Sequence, residues 1–369
     1  MRQKKRISLV LLAGILLLGA GLAGLLTGPE LIQYAFLPGQ TGTAELLEQY
    51  AAAGSALAEA FPRLTLHGMK NGVTLTAGDR SRNDVCLYVT GPGWQDVYPR
   101  VCRSGRPIAA ADAEKPVIVL DADTAFLFFG EQDAVGRSVT LGDRTLEVVG
   151  VAEHSRRAGE KSAHAAWAPL GTVTGCDLMV LTAADSRGGA MNSVFRNAAE
   201  EAFGTGTLIS LSKERTRGSM LLRWCALILA VWLLKRGIGR LAGLWRERTE
   251  RVREENRRSY AGRLIPYAAA QLALPALLTA AAVAAGYGLA VFAVSPAYVF
   301  PEWIPEALGD FSRWGERFWS LTGEAASPVV LRTPELAEIR LWAGLVRGGT
   351  VLTLTGALLQ AWNKKGTKG

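Results

Sequence analysis

Side chains suited to metal or redox chemistry are scarce: the 369 residues include three histidines and four cysteines. Four cysteines are too few for a disulfide scaffold. Cys86 and Cys102 are either bridged in an oxidising compartment or buried free thiols, and Cys176 leaves an odd thiol in the same region. Cys225 lies in an apolar run. His154, His164, Cys176 and Asp177 could be imagined as metal ligands, but their spacing fits no zinc pattern, and solvated or capping histidines are the simpler reading. The chain has no G-x-x-x-x-G-K-[ST] phosphate loop, so ATP hydrolysis by this polypeptide is not expected, and no G-x-S-x-G nucleophile motif. Asp121 and Asp123 resemble a catalytic carboxylate pair only superficially, because both sit where a helix N-terminus favours negative charge. No enzymatic activity and no cofactor are expected.

Charge is missing from whole stretches of the chain. Ile7 to Thr27 runs for 21 residues without a charged side chain, directly after the basic segment Arg2-Gln3-Lys4-Lys5-Arg6. At about 1.5 Å per residue such a run crosses a hydrocarbon layer of about 30 Å. It exceeds the apolar region of a signal peptide, so an uncleaved anchor is expected. A second apolar block, Met220 to Leu234, is interrupted by Arg223 and spans if Arg223, Lys235 and Arg236 snorkel. A third, Leu264 to Ser295, carries Pro266 and Pro275 as candidate kinks, and a fourth, Leu341 to Trp362, contains Arg347. Gly344 and Gly348 in the fourth, and Ala280, Ala284 and Gly288 in the third, are small residues at close-approach spacing.

The distribution of charge sets an orientation. Basic residues concentrate in the N-terminus, in Lys235–Arg263 and in the tail at Lys364, Lys365 and Lys368, while residues 28–218 and 297–340 carry more acid than base. Positive loops stay in the cytoplasm, so both termini are expected inside a plasma or inner membrane. The net charge of +8 is thus a topology signal. No nucleic-acid motif accompanies it, and no nucleic-acid partner is expected. The organisation is an anchor at 1–27, an extracytoplasmic domain at 28–218, a second span at 219–236, a basic cytoplasmic loop at 237–263, a third span at 264–296, an external loop at 297–340, a fourth span at 341–362 and a tail at 363–369. Trp303, Trp314 and Trp319 in the external loop suit a membrane-interface belt.

Within the domain, residues 28–42 read as a linker, marked by Gly28-Pro29 and Pro38-Gly39-Gln40-Thr41-Gly42. Thr43 is expected to cap a helix to about Ala60, with Leu46, Leu47, Tyr50, Leu57 and Phe61 on one face. Leu64–His67, Val73–Thr76 and Val85–Thr90 suggest strands. Val117–Leu120 reads as a buried strand, followed by a short helix through Phe129 that Gly130 ends. Val139 to Val148 then alternates about Gly142-Asp143, as a two-residue hairpin does. Leu178–Thr182 suggests a strand, Met191–Phe203 a helix and Leu208–Leu211 a closing strand. The fold class is an α-helical membrane protein of four transmembrane helices, with an α+β extracytoplasmic domain inserted between the first and second.

Four stretches carry a resemblance. Val117-Ile118-Val119-Leu120-Asp121, Ala125-Phe126-Leu127-Phe128-Phe129-Gly130, Asp133-Ala134-Val135-Gly136-Arg137-Ser138-Val139 and Glu147-Val148-Val149-Gly150-Val151 closely resemble the extracytoplasmic core domain of MacB/FtsX-type ABC transporter permeases. Gly105-Arg106-Pro107-Ile108 with Asp112 resembles the family's segment ahead of that strand, and Ala168-Pro169-Leu170 resembles a later one. The resemblance covers roughly residues 7–235, and its order of one span, a large external domain and three spans agrees with the layout above. It implies a permease-type subunit working with a separate ABC ATPase and a second permease chain, like or unlike itself, in the lipid bilayer. Permeases of this kind carry an apolar, Ala-Gly-containing segment after the second span. Arg246 to Arg258 is basic and lacks that part. Arg246, Arg248, Arg251 and Arg253 are candidate contacts for the ATPase. The alternative is a membrane-anchored scaffold or sensor regulating an external partner such as a cell-wall enzyme.

Overall fold

The computed structural model describes residues 2–366 except 40, 132, 155, 161, 163, 174, 258–259 and 300–331. The tryptophans expected to form an interface belt, Trp303, Trp314 and Trp319, lie outside the described residues.

A first helix, α1 (Arg2–Thr27), leads into a ten-stranded sheet and its helices. In chain order these are β1 (Leu31–Phe36), α2 (Thr43–Leu57), β2 (Leu64–Ala77), β3 (Arg80–Thr90), α3 (Trp94–Val97), β4 (Cys102–Gly105), β5 (Val117–Asp121), α4 (Ala122–Phe129), β6 (Ser138–Leu141), β7 (Arg144–Ala152), β8 (His164–Pro169), β9 (Leu178–Ala184), α5 (Asn192–Phe203) and β10 (Thr207–Ser210). Three long helices follow: α6 (Leu211–Asn256), α7 (Ala261–Val299) and α8 (Pro334–Gly366). Four helices are long and apolar enough to cross a membrane, over Ile7–Thr27, Leu211–Asn256, Gly262–Phe292 and Pro334–Trp362. By contact the chain divides into two compact units, one of them Leu16–Gly218 with the described residues up to Leu345.

The sheet order is β10-β1-β9-β2-β3-β8-β5-β7-β4, with β6 pairing both β2 and β7. Most neighbours are antiparallel; β3 with β8 and β5 with β7 are parallel. Residues 28–42 are therefore more than a linker, because β1 lies inside them, between β10 and β9. All six of its side chains are buried, so Leu31-Ile32-Gln33-Tyr34-Ala35-Phe36 shows none of the alternation that marks a half-buried strand. The two short strands expected near 64 and 73 are one fourteen-residue strand, β2, with register shifts around Val73. Gly42, not Thr43, is the N-cap of α2, and no side chain caps it.

Helices α2 and α5 pack together over the core. Phe61 meets Phe195 edge-on at 5.2 Å, and Phe36 stacks on Phe203 at 4.6 Å. Phe195 is fully buried, which is worth about 1.5–3 kcal/mol relative to exposure.

The stretch from Val117 to Ala152 follows its sequence closely. Asp121 caps α4, with Oδ1 accepting from the Thr124 amide at 2.6 Å, and its Oδ2 accepts from the Ala165 amide at 2.6 Å. Both oxygens are thereby committed to backbone. Gly130 ends the helix at φ +73°, a left-handed conformation open to glycine. Leu141 pairs Arg144 across the two-residue turn Gly142-Asp143.

Candidate functional site: a polar clasp at the base of the last helix

The strand next to the β10 edge of the sheet places unusual polarity in the interior. Gln33, on β1, is fully buried. A buried amide left unpaired would cost several kcal/mol, so its partners matter. Its Nε2 donates to the Tyr98 hydroxyl at 3.0 Å and to Glu335 Oε2 at 3.3 Å, and its Oε1 accepts from the Thr333 hydroxyl at 2.7 Å. Thr333 and Glu335 are separated from Gln33 by some three hundred positions of chain. They form the start of α8. Thr333 Oγ1 accepts from the Leu336 amide at 3.4 Å as a helix cap does, and Glu335 lies in the first turn, where the helix dipole favours a carboxylate. The second Glu335 oxygen pairs with Arg157 at 3.3 Å.

Arg157 connects this clasp to a second buried cluster. Its backbone amide donates to Glu160 Oε2 at 2.8 Å. The same oxygen lies 3.0 Å from His154 Nε2, and Glu160 Oε1 accepts from the Tyr88 hydroxyl at 2.6 Å. The His154 and Glu160 side chains are both 4% exposed. Burial works against the Glu160 carboxylate, but the bonds from His154, Tyr88 and the Arg157 amide outweigh it and leave its pKa below the ordinary value. Arg100 lies over Trp167 at 4.3 Å, with a guanidinium nitrogen 3.5 Å from His154 Nδ1. Burial first, and the neighbouring Arg157 second, lower the pKa of Arg100.

Further pairs fix the helix ends near this clasp. Arg340 on α8 lies 3.5 Å from Glu214 on α6, and Arg215 pairs with Glu30 at 3.1 Å. The ring of Trp342 lies against Gly24, and Ala343 against Gly218, at positions where a larger side chain would overlap its neighbour. These glycines permit close approach within the chain; nothing described lies within 4 Å of a Cβ built at Gly344, Gly348 or Gly288.

The four residues imagined as metal ligands disperse. His154 joins Glu160; His164 lies 3.9 Å from Asp84; Asp177 accepts from the Asn71 amide at 2.8 Å; the Cys176 sulfur adjoins Gly68. All four cysteines are free. Asp112, singled out with Gly105-Arg106, has a structural role: it forms an ion pair with Arg106, accepts from the Ala109 amide at 3.0 Å, and its pKa falls to about 2. The hydrogen bond from Arg106 is the main cause. The candidate ATPase contacts lie on the C-terminal part of α6. Arg246, Arg251 and Arg253 are exposed and Arg248 half-buried. Arg248 donates to Gln271 of α7, and Arg251 pairs with Glu247. Arg246 and Arg253, about two turns apart, share a helix face.

The chain matches the MacB-like periplasmic core domain over residues 7–202, more than half its length. It belongs to that family. The match starts inside α1 and ends in α5, so it takes in every strand except β10. Among solved structures, the chain is similar to the periplasmic region of MacB from Actinobacillus actinomycetemcomitans, at 15% identity and a TM-score of 0.40, covering 52% of this chain and 92% of that one. It is also similar to the extracellular domain of the noncanonic ABC-type transporter YknZ from Gram-positive bacteria, at 15% identity and a TM-score of 0.37, covering 47% of this chain and 95% of that one. No curated protein matches it. MacB-like membership and the four apolar helices together make the chain a multi-pass inner-membrane protein of the ABC-permease type.

Of the clasp residues, Gln33 lies within the MacB-like match and Thr333 and Glu335 outside it, and the sequence assigned none of them to a site. Gln33 sits in a segment that reads as linker, and Thr333 and Glu335 in one that reads as external loop. A polar residue within an otherwise apolar six-residue run is the one hint that Gln33 needed a partner.

Proposed function

We propose that this chain is the permease-type subunit of an ABC transporter, and that it passes a conformational change of a partner ATPase to the extracytoplasmic domain. The working unit is two permease-like chains with two ATPase chains. Both termini and the basic C-terminal part of α6 face the cytoplasm, and residues 28–218 face outside. Arg246, Arg248, Arg251 and Arg253 contact the ATPase. The observation that supports this reading best is the clasp. Gln33 of the sheet is tied through buried hydrogen bonds to Thr333 and Glu335 at the start of a helix long enough to span a membrane. Movement of that helix along or about its axis would pull directly on β1.

The test is purification of the tagged full chain from its native membrane in mild detergent, with mass spectrometry of co-purifying proteins. A stoichiometric ABC ATPase is the expected result. Recovery without an ATPase, under conditions where a known permease retains its own, would replace this reading with that of a scaffold or sensor.

A further inference from the structure

A second feature adjoins the clasp. Where α1 ends and β1 begins, a cleft of about 720 Å³ opens, bordered by Thr27, Gly28 and Pro29. Its walls carry Arg100, Arg103 and Arg157 on one hand and Glu153 and Glu338 on the other. Arg100 Nε is buried and has no hydrogen-bond partner among the described residues. Arg157 is close enough to Arg100 to disfavour the Arg100 charge. Glu160 and Glu335 favour the Arg100 charge only in part, and their bonds go elsewhere, Glu160 to His154, Tyr88 and the Arg157 amide and Glu335 to Gln33 and Arg157. Three arginines that line one cleft, one of them with an unmet donor, form a site for an oxyanion.

The position narrows the oxyanion. Thr27 is the last residue of an uncharged 21-residue run long enough to span a membrane, and it lines the cleft itself. A cleft beginning at the end of a span lies at the level of lipid headgroups. Val101, on the same lining, is 87% exposed and offers an apolar side chain beside the arginines. Glu153 and Glu338 favour a group that also carries an ammonium.

We propose that this cleft binds a phosphate-bearing headgroup, with the phosphate between Arg100, Arg103 and Arg157 and an attached ammonium facing Glu153 and Glu338. A phospholipid and a soluble phosphoethanolamine ester share this chemistry. The location at the end of α1 favours the lipid. The site does not require ATPase coupling, and its test involves no partner.

The experiment uses the full chain, purified in maltoside detergent and stripped of lipid, with native mass spectrometry as the readout. Three probes are titrated: dioctanoyl phosphatidylethanolamine, dioctanoylglycerol with the same tails and no phosphate, and O-phosphoethanolamine with no tails. The phospholipid is expected to bind about tenfold more tightly than the diglyceride, the scale of a charge-assisted hydrogen bond or two. Arg103→Gln, an exposed position whose change spares the core, and Arg157→Gln are each expected to erase most of that preference. Competition by O-phosphoethanolamine at similar concentration would assign the site to a soluble ester, and failure to compete would assign it to lipid. Equal binding of phospholipid and diglyceride overturns the proposal. So does a preference that survives both substitutions.

Discussion

His67 shows how far a single buried group can depart from its behaviour in water. It packs edge-on against Trp94 at 4.9 Å and Tyr98 at 5.4 Å, and its Nδ1 has no hydrogen-bond partner among the described residues. Burial lowers its pKa from 6.5 to about 3. The unfolded chain therefore binds more protons than the fold between those values. The stability that neutral His67 provides is complete above the higher value and is lost as pH falls toward the lower. The loss is up to about 1.4 kcal/mol per pH unit. His67→Phe is expected to flatten this slope, read as the denaturant midpoint of the full chain in detergent between about pH 4 and 7. A midpoint that falls as steeply in the variant would assign the pH dependence elsewhere. Gly105 and Gly150 make a second residue-scale point. They face each other across β4 and β7, and a Cβ on Gly150 would overlap the Arg106 carbonyl oxygen. Gly150→Ala should cost about 1–3 kcal/mol, in the range of overpacking, measured as a drop in the same midpoint. Gly150 falls in one of the stretches that carry the family resemblance, but nothing in the sequence marks His67, whose burial depends on an aromatic pair some thirty residues downstream.

Among elements, legibility tracked the locality of the signal. The stretch β5-α4-β6-β7 was readable because each part carries its own punctuation: a carboxylate cap at Asp121, a left-handed glycine at Gly130 and a two-residue turn at Gly142-Asp143. β1 was not, since a strand covered on both faces has no period, and its neighbours β9 and β10 are supplied by residues about 150 or more positions away. The clasp is of the same kind. Gln33→Leu removes one partner each from Tyr98, Thr333 and Glu335 at once, and a buried polar group left unpaired costs about 1–3 kcal/mol. The expected outcome is faster hydrogen exchange in the first turn of α8, with the fold of the sheet retained. Unchanged protection of the amides of residues 335–338 would mean that the clasp does not hold the helix start. On α6, reversing Arg246 and Arg253 to Glu together should lower recovery of a co-purifying ATPase by about tenfold or more, since both lie on one exposed face and several charged contacts would turn repulsive. Reversing Arg251, already paired with Glu247, should matter less.

For the molecule as a whole, α6 is the longest element, and 46 residues of helix extend about 69 Å, well over twice the hydrocarbon thickness. The apolar run in its first half and the arginines in its second are thus parts of one continuous rod. The proposed orientation has a direct check. A fluorescent protein fused at the C-terminus should fold and fluoresce in the cytoplasm, and alkaline phosphatase inserted at the exposed Gly78-Asp79 turn should be active outside; the reverse pattern would invert the topology. Charge segregation made the helices legible at this scale, whereas the way their ends join the sheet was not. That joining has its own consequence. The strand entered from α1 and the strand that leaves into α6 are adjacent, with Ile32 opposite Ser210. A sheet whose entrance and exit strands lie about 5 Å apart can have those two ends joined and its chain reopened at a surface turn without disturbing the ladder, with the clasp to α8 left in place. In evolutionary terms it is a cassette: a pair of helices can acquire or exchange such a domain through a single insertion point, keeping the helices while what they carry changes.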